Sequence, residues 1–122
     1  MKAQFTLPLP PSVNSYWRNF NGRVLLSKKG REYKQAVWAA CLEQKVPKFG
    51  GRMLAFKMVI FPKDRRKIDI DNRIKAVLDA LQAAGIMEDD WQVSELHVKR
   101  EDSQPPGKVI ITIETVDEPP QA

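Results

Sequence analysis

MLAFKMVIFPKDRRKIDIDNRIKAVLDALQAAG, residues 53–85, contains a strand, a charged loop and a helix in that order. Met53 to Phe61 is dense in apolar and aromatic residues and reads as a central strand. Pro62 breaks the ladder, and Pro62-Lys63-Asp64-Arg65-Arg66-Lys67 follows as a charged loop. From about Asn72 to Ala84 the apolar residues fall at helical spacing, with Ile74, Val77, Leu78 and Leu81 on one stripe and Gly85 as the stop. The chain that leaves along this helix must then return to continue the sheet.

Upstream, residues 3–9 alternate, Ala3, Phe5 and Leu7 against Gln4 and Thr6, as a half-buried strand does. Pro8, Pro10 and Pro11 end its pairing. Ser12 to Gly22, with three Asn and with Tyr16, Trp17, Arg18 and Phe20, reads as an aromatic loop. Arg23 to Leu26 suits a short strand. Ser27 is an N-cap for a helix running to about Lys45, with Tyr33, Val37, Ala40 and Cys41 on its apolar stripe. Pro47 and Gly50-Gly51 end it. Downstream, Val93 to Arg100 alternates, placing Leu96, Val98 and Arg100 opposite Glu95, His97 and Lys99. Pro105-Pro106-Gly107 turns the chain into a last strand, Lys108 to Val116. The order β-β-α-β-α-β-β predicts an α+β domain, two helices packed on a mixed sheet of about four or five strands. It spans residues 1–116, and residues 117–122 form a polar, flexible tail.

The chain of 122 residues is long enough for one domain and short for two. With 43% hydrophobic and 29% charged residues it is a globular and not a disordered composition. Twenty Lys+Arg against 15 Asp+Glu give a net charge of +5, a mild preference for polyanionic partners. One cysteine, Cys41, excludes an intrachain disulfide and points to a reducing compartment. No signal-peptide core and no membrane-length apolar run are present, so the expectation is a soluble cytoplasmic protein without a membrane partner.

The chemistry concentrates in Arg65-Arg66-Lys67-Ile68-Asp69-Ile70-Asp71-Asn72-Arg73-Ile74-Lys75. Asp69 and Asp71, two apart, point the same way on an extended chain. Lys75 lies one helical turn beyond Asp71 on the same face. Phosphodiester hydrolysis needs this mixture. Magnesium takes a few carboxylates and keeps waters and phosphate oxygens; held so, it activates water and stabilises the leaving oxygen. A lysine stabilises charge developing on the phosphate. A second acidic cluster, Glu88-Asp89-Asp90, follows the helix, and only the fold decides whether it returns to the first. The structural alternative is that Asp71 caps the helix, worth about 1 kcal/mol, that Asp69 pairs with Arg66 or Lys67, and that the later acids form a solvated turn. For any one acid that explanation is the better one; for the set, the chemical one is.

Asp69-Ile70-Asp71-Asn72 with Lys75 resembles the DxDN...K signature of the RusA family of Holliday junction resolvases. Gly85-Ile86-Met87-Glu88-Asp89-Asp90-Trp91-Gln92-Val93 is similar to that family's second acidic motif, an aspartate pair followed by a Gln-Val step. Pro8-Leu9-Pro10-Pro11-Ser12-Val13-Asn14 resembles its opening, PxPPSxN. The resemblance spans nearly the whole chain. It implies catalytic and metal-holding roles for Asp69, Asp71 and Asp90, an essential Lys75, a magnesium cofactor for which manganese substitutes, and a homodimer that nicks a four-way DNA junction symmetrically. Asp89 is left without an assigned role, and the bulky Trp91 departs from the family pattern.

DNA contacts are expected from Arg65, Arg66, Lys67 and Arg73, and from Arg18, Arg23, Lys28 and Lys29, the last two beside a helix N-terminus that favours phosphate. Tyr16, Trp17 and Phe20 either stack on unpaired bases or fold back on the core. His97, mid-strand, reads as a surface or structural residue, and Cys41 as core. Two rival functions share these features: a non-catalytic nucleic-acid-binding module, and a metal-dependent nuclease acting on other branched or duplex DNA.

Overall fold

The computed structural model describes residues 1–12, 17–68 and 70–116. Its main sheet has four strands in the order β1 (Lys2–Pro8), β6 (Lys108–Thr115), β4 (Leu54–Phe61) and β5 (Val93–Arg100). β1 and β4 flank β6 antiparallel, whereas β4 and β5 run parallel and are joined through a helix. A separate hairpin pairs β2 (Trp17–Phe20) with β3 (Arg23–Leu26). Two helices complete the fold, α1 (Lys28–Glu43) and α2 (Asp71–Ala83). The expected α+β layer with a mixed sheet is the observed one, and no helix among the described residues is long and apolar enough to cross a membrane.

Strand alternation sorts the core. Leu54, Phe56, Met58 and Ile60 of β4 meet Val109, Ile111 and Ile113 of β6 and Phe5 and Leu7 of β1 on one buried face. Onto it pack Tyr33, Val37 and Cys41 of α1, spaced four apart, and Ala76, Val77, Ala80 and Leu81 of α2. Each fully buried large side chain contributes about 1.5–3 kcal/mol. Burial pushes the Cys41 thiol up to about 11, which suits a packing residue and not a nucleophile. The opposite sheet face carries Lys57 and His97, both exposed.

Polar contacts fix the layers to each other. Ser27 caps α1 as expected, its Oγ accepting from the Gly30 amide at 3.0 Å. At the other end of α1 the Gln44 side chain brackets Thr6, accepting from its amide (2.9 Å) and donating to its carbonyl (2.6 Å), and so satisfies part of the free β1 edge. Tyr33 Oη donates to the Pro8 carbonyl at 2.9 Å. Gly107, at φ +91°, is required where three segments touch: a Cβ there would lie 2.9 Å from Leu9 Cδ2 and 3.1 Å from the Lys63 amide nitrogen.

Three expectations change. Trp17–Phe20 is a strand, not part of a continuous loop, because Asn21 (φ 50°) and Gly22 (φ 76°) close a two-residue turn with both residues left-handed. Asp71 does not cap α2. The residue before it, Ile70, holds the cap position with helical angles (φ −60°, ψ −46°) and makes no side-chain cap bond. Val93–Arg100 keeps the expected alternation, but as an edge strand with neither row buried; Leu96 is 49% exposed. The proposed tail, 117–122, lies outside the described residues.

The contrast between β4 and β5 is testable. Phe56→Ala should cost about 3–5 kcal/mol of stability and Leu96→Ala less than about 0.5 kcal/mol, measured by urea unfolding of the two variants beside the unmodified chain.

Candidate active site

Asp71 occupies the first position of α2, exposed, and among the described residues no hydrogen bond or ion pair engages its carboxylate. An acidic group here is favoured by the helix dipole. Lys75 follows one turn later. Its Nζ donates to Asp90 Oδ2 at 3.0 Å, the side chains being 54% and 37% exposed. That contact joins the two acidic motifs. Asp90 comes to the face of α2 shared by Asp71 and Lys75, so the return after the helix does lead back to the first motif. The Lys75 hydrogen bond holds the Asp90 carboxyl below the usual carboxylate range. Asp69 lies outside the described residues.

The return is shaped by its own side chains. Asp90–Gln92 form a 3-10 turn, and Asp89 caps it, Oδ1 accepting from the Trp91 amide at 2.8 Å. Gln92, only 3% exposed, uses its whole amide. Oε1 accepts from the Glu88 and Asp89 amides (2.7 and 2.8 Å), and Nε2 donates to the Gly50 and Arg52 carbonyls (both 2.7 Å). Two donors and two acceptor sites are the full capacity of the group. Asp89 therefore serves the turn, while Asp90 reaches Lys75. In the sequence Gln92 is only part of a motif, and no local signal reveals its positioning role, because Gly50 and Arg52 lie some forty residues upstream.

The first motif is anchored from both sides. One arm of Arg73 donates to the Pro10 carbonyl, tying the first turn of α2 to the proline-rich exit of β1. Its Nε is buried with no partner among the described residues, and burial lowers its pKa. From β5, Arg100 donates to the Ile68 carbonyl at 3.2 Å. Arg66 closes the basic loop on itself, gripping Asp64 Oδ2 through Nε and Nη2 at 2.9 and 2.7 Å. That pairing holds the Asp64 carboxyl below its usual range.

Four of the expected DNA contacts, Lys29, Arg66, Lys67 and Arg73, line one groove of about 610 Å³ together with Lys63. Glu32 and Asp64 are its acids, and Asp64 is already paired, so the groove is net basic. Its lining does not include Asp71, Lys75 or Asp90, although Ile68 and Arg73 bracket Asp71 in sequence. Arg65 faces another cleft, shared with Arg100 and Asp102. Arg23 is exposed beside the hairpin turn, and Lys28 is exposed with Glu32 4.0 Å away. The side chains of Arg18, Trp17 and Phe20, and all of Tyr16, lie outside the described residues.

Among the described residues no three of His, Cys, Asp and Glu converge as a ready cage for a cation. Asp71 and Asp90 each carry hard carboxylate oxygens of the kind magnesium accepts together with water.

A family model described as Endodeoxyribonuclease RusA matches residues 8–114. The chain is 37% identical over 110 residues, 90% of its length and 92% of the relative's, to the crossover junction endodeoxyribonuclease rusA of Enterobacteria phage HK97. It is 36% identical over 109 residues, 88% of its length and 90% of the relative's, to the crossover junction endodeoxyribonuclease RusA of Escherichia coli strain K12. The protein of the same name from Shigella sonnei is 35% identical over the same coverage.

Two substitutions probe the geometry. Gln92→Ala strands several buried polar groups and should destabilise the fold by about 2–4 kcal/mol, read by denaturant unfolding. Lys75→Ala should raise the Asp90 carboxyl toward its ordinary value, about 3.9, in an NMR titration of the side-chain carbons. Because the folded value is depressed, the pair's contribution is present above that ordinary value and lost as pH falls through the lowered one.

Proposed function

The chain belongs to the RusA family of endodeoxyribonucleases, and on that premise we propose that it is a Holliday junction resolvase, a homodimer that nicks two strands of a four-way junction symmetrically. The observation that supports the reading most is the Lys75–Asp90 contact, which gathers two sequence-distant acidic motifs on one exposed face. A reading in which the acids only cap and turn loses its main member, since Asp71 caps nothing.

In this reading Asp69, Asp71 and Asp90 hold a divalent cation, magnesium or manganese. The bound cation supplies Lewis acidity and a water of lowered pKa. Asp71 is suited to holding it because its carboxylate is exposed and needs no internal bond broken. Lys75 neutralises Asp90 before substrate arrives, which reduces repulsion of the DNA backbone. As the phosphate enters, the ammonium stabilises the charge that builds on its non-bridging oxygens. Hydrolysis adds a water oxygen to phosphorus, breaks the bond to the 3′ oxygen and leaves a 5′ phosphate and a 3′ hydroxyl, ends that a ligase can rejoin. The Lys29, Lys67 and Arg66 groove holds an adjoining stretch of backbone by counterion release. Dimerism follows from the substrate: a junction offers two equivalent strands, and a two-fold enzyme meets both. The activity belongs in the cytoplasm of a bacterium, whether encoded by the host or by a phage.

The test is cleavage of a labelled four-way junction with and without magnesium, with Asp71→Asn in parallel. Paired symmetric nicks are expected, with Asp71→Asn binding the junction at least as tightly while its cleavage falls by about 10²-fold or more. Metal-indifferent binding without cleavage by any divalent ion would leave only a DNA-binding module. Suppression of cutting by excess linear duplex would instead mark a general nuclease. Sedimentation of the free chain should give twice the mass of one chain.

A further inference from the structure

We propose that Trp91 is a specificity-determining residue: its indole stacks on the nucleobase beside the scissile phosphate and so favours an opened branch point over continuous duplex. The proposal rests on the junction-cleaving reading above and names the residue that adds discrimination to it. Trp91 is 76% exposed, the most exposed large hydrophobic side chain among the described residues. It immediately follows Asp90, the carboxylate that meets Lys75, so the two Cα atoms are about 3.8 Å apart.

An exposed indole on a mobile loop would mean little, but this one stands on a fixed turn. Its amide donates to Asp89 Oδ1 at 2.8 Å, and its neighbour Gln92 is buried and bonded four ways. The backbone therefore presents an exposed indole from a fixed point of attachment, one residue from Asp90. The indole's single Nε1–H donor adds little for a phosphate, which the nearby cations already attract, whereas most of its exposed surface is the apolar ring face. Its complement is another π face. In continuous duplex every base is covered above and below by its neighbours, and no such face is open. Where strands exchange the stack is interrupted, and a base flanking the cut can be covered by Trp91 instead. The cationic groove then supplies affinity for any DNA backbone, while Trp91 acts on branched DNA alone.

The experiment uses the full chain with Trp91→Ala and Trp91→Phe, calcium replacing magnesium for binding and magnesium for turnover. Trp91→Ala should weaken junction binding about five- to hundredfold and leave binding of linear duplex within about twofold, the loss of turnover falling on KM more than on kcat. Trp91→Phe should recover most of it. A 2-aminopurine placed next to the cut should be quenched by the unmodified chain and by Trp91→Phe, but not by Trp91→Ala. The proposal is overturned if Trp91→Ala matches the unmodified chain, or if junction and duplex binding weaken by the same factor. It is overturned equally if Trp91→Ala sediments at half the mass of the unmodified chain, which would assign the indole to a contact between copies. Absence of junction cleavage by the unmodified chain would defeat the resolvase reading and this proposal with it, whereas cleavage without any Trp91 effect defeats this proposal alone.

Discussion

The side-chain amide of Gln92 bonds at once to the start of its own turn and to the chain just before β4. Because β4 and β5 are parallel, the chain must travel the length of α2 and come back before β5 can begin. The return is held to the chain before β4 by the Phe49 amide on the Ile86 carbonyl at 2.9 Å, and Gln92 extends that pairing with its side chain. Through Gly50 and Arg52 it sets where the return ends, and through Glu88 and Asp89 it sets how the return bends. The positions of Asp90 and of the exposed Trp91 are consequences. A buried amide with all four bonds made is also costly to disturb, since each partner would be left unsatisfied away from water.

On that frame the electrostatics divide into two regions. Around the groove, cations outnumber acids and the nearest acid is neutralised by Arg66. At the start of α2 stand two acids: Asp71, which no described residue engages, and Asp90, which is compensated by Lys75. The two regions are thus complementary in sign, one net basic and one acidic, and the contact between Lys75 and Asp90 partly neutralises the acidic one.

The elements that own a periodic pattern were legible without coordinates. The apolar density of Met53–Phe61 and the stripe of Ile74, Val77, Leu78 and Leu81 lead to the correct strand, helix and α+β class within a residue or two. The second strand of the hairpin, Arg23–Leu26, is legible, but the aromatic density of Ser12–Gly22 masks its partner Trp17–Phe20, although Asn21-Gly22 is a strong turn signal. Asp71 suits a cap by residue type, but the N-cap position falls on Ile70 and Asp71 opens the helix itself. For the site, spacing placed Asp71 and Lys75 on one face, but nothing local could bring Asp90 to them or turn Arg73 inward onto Pro10. Those arrangements depend on bonds between residues fifteen and sixty-three positions apart, and such bonds leave no periodic trace.

The packing around Gly107 has a further consequence. Leu9, Lys63 and Gly107 meet at one point, and they come from the first tenth, the middle and the last fifth of the chain. Leu9 and Lys63 are also walls of the basic groove. No contiguous fragment that lacks either end can therefore carry that groove intact. In evolutionary terms the unit of inheritance is the whole domain: grafting or splitting it by segments discards the groove, however faithfully each segment keeps its own helix or strand.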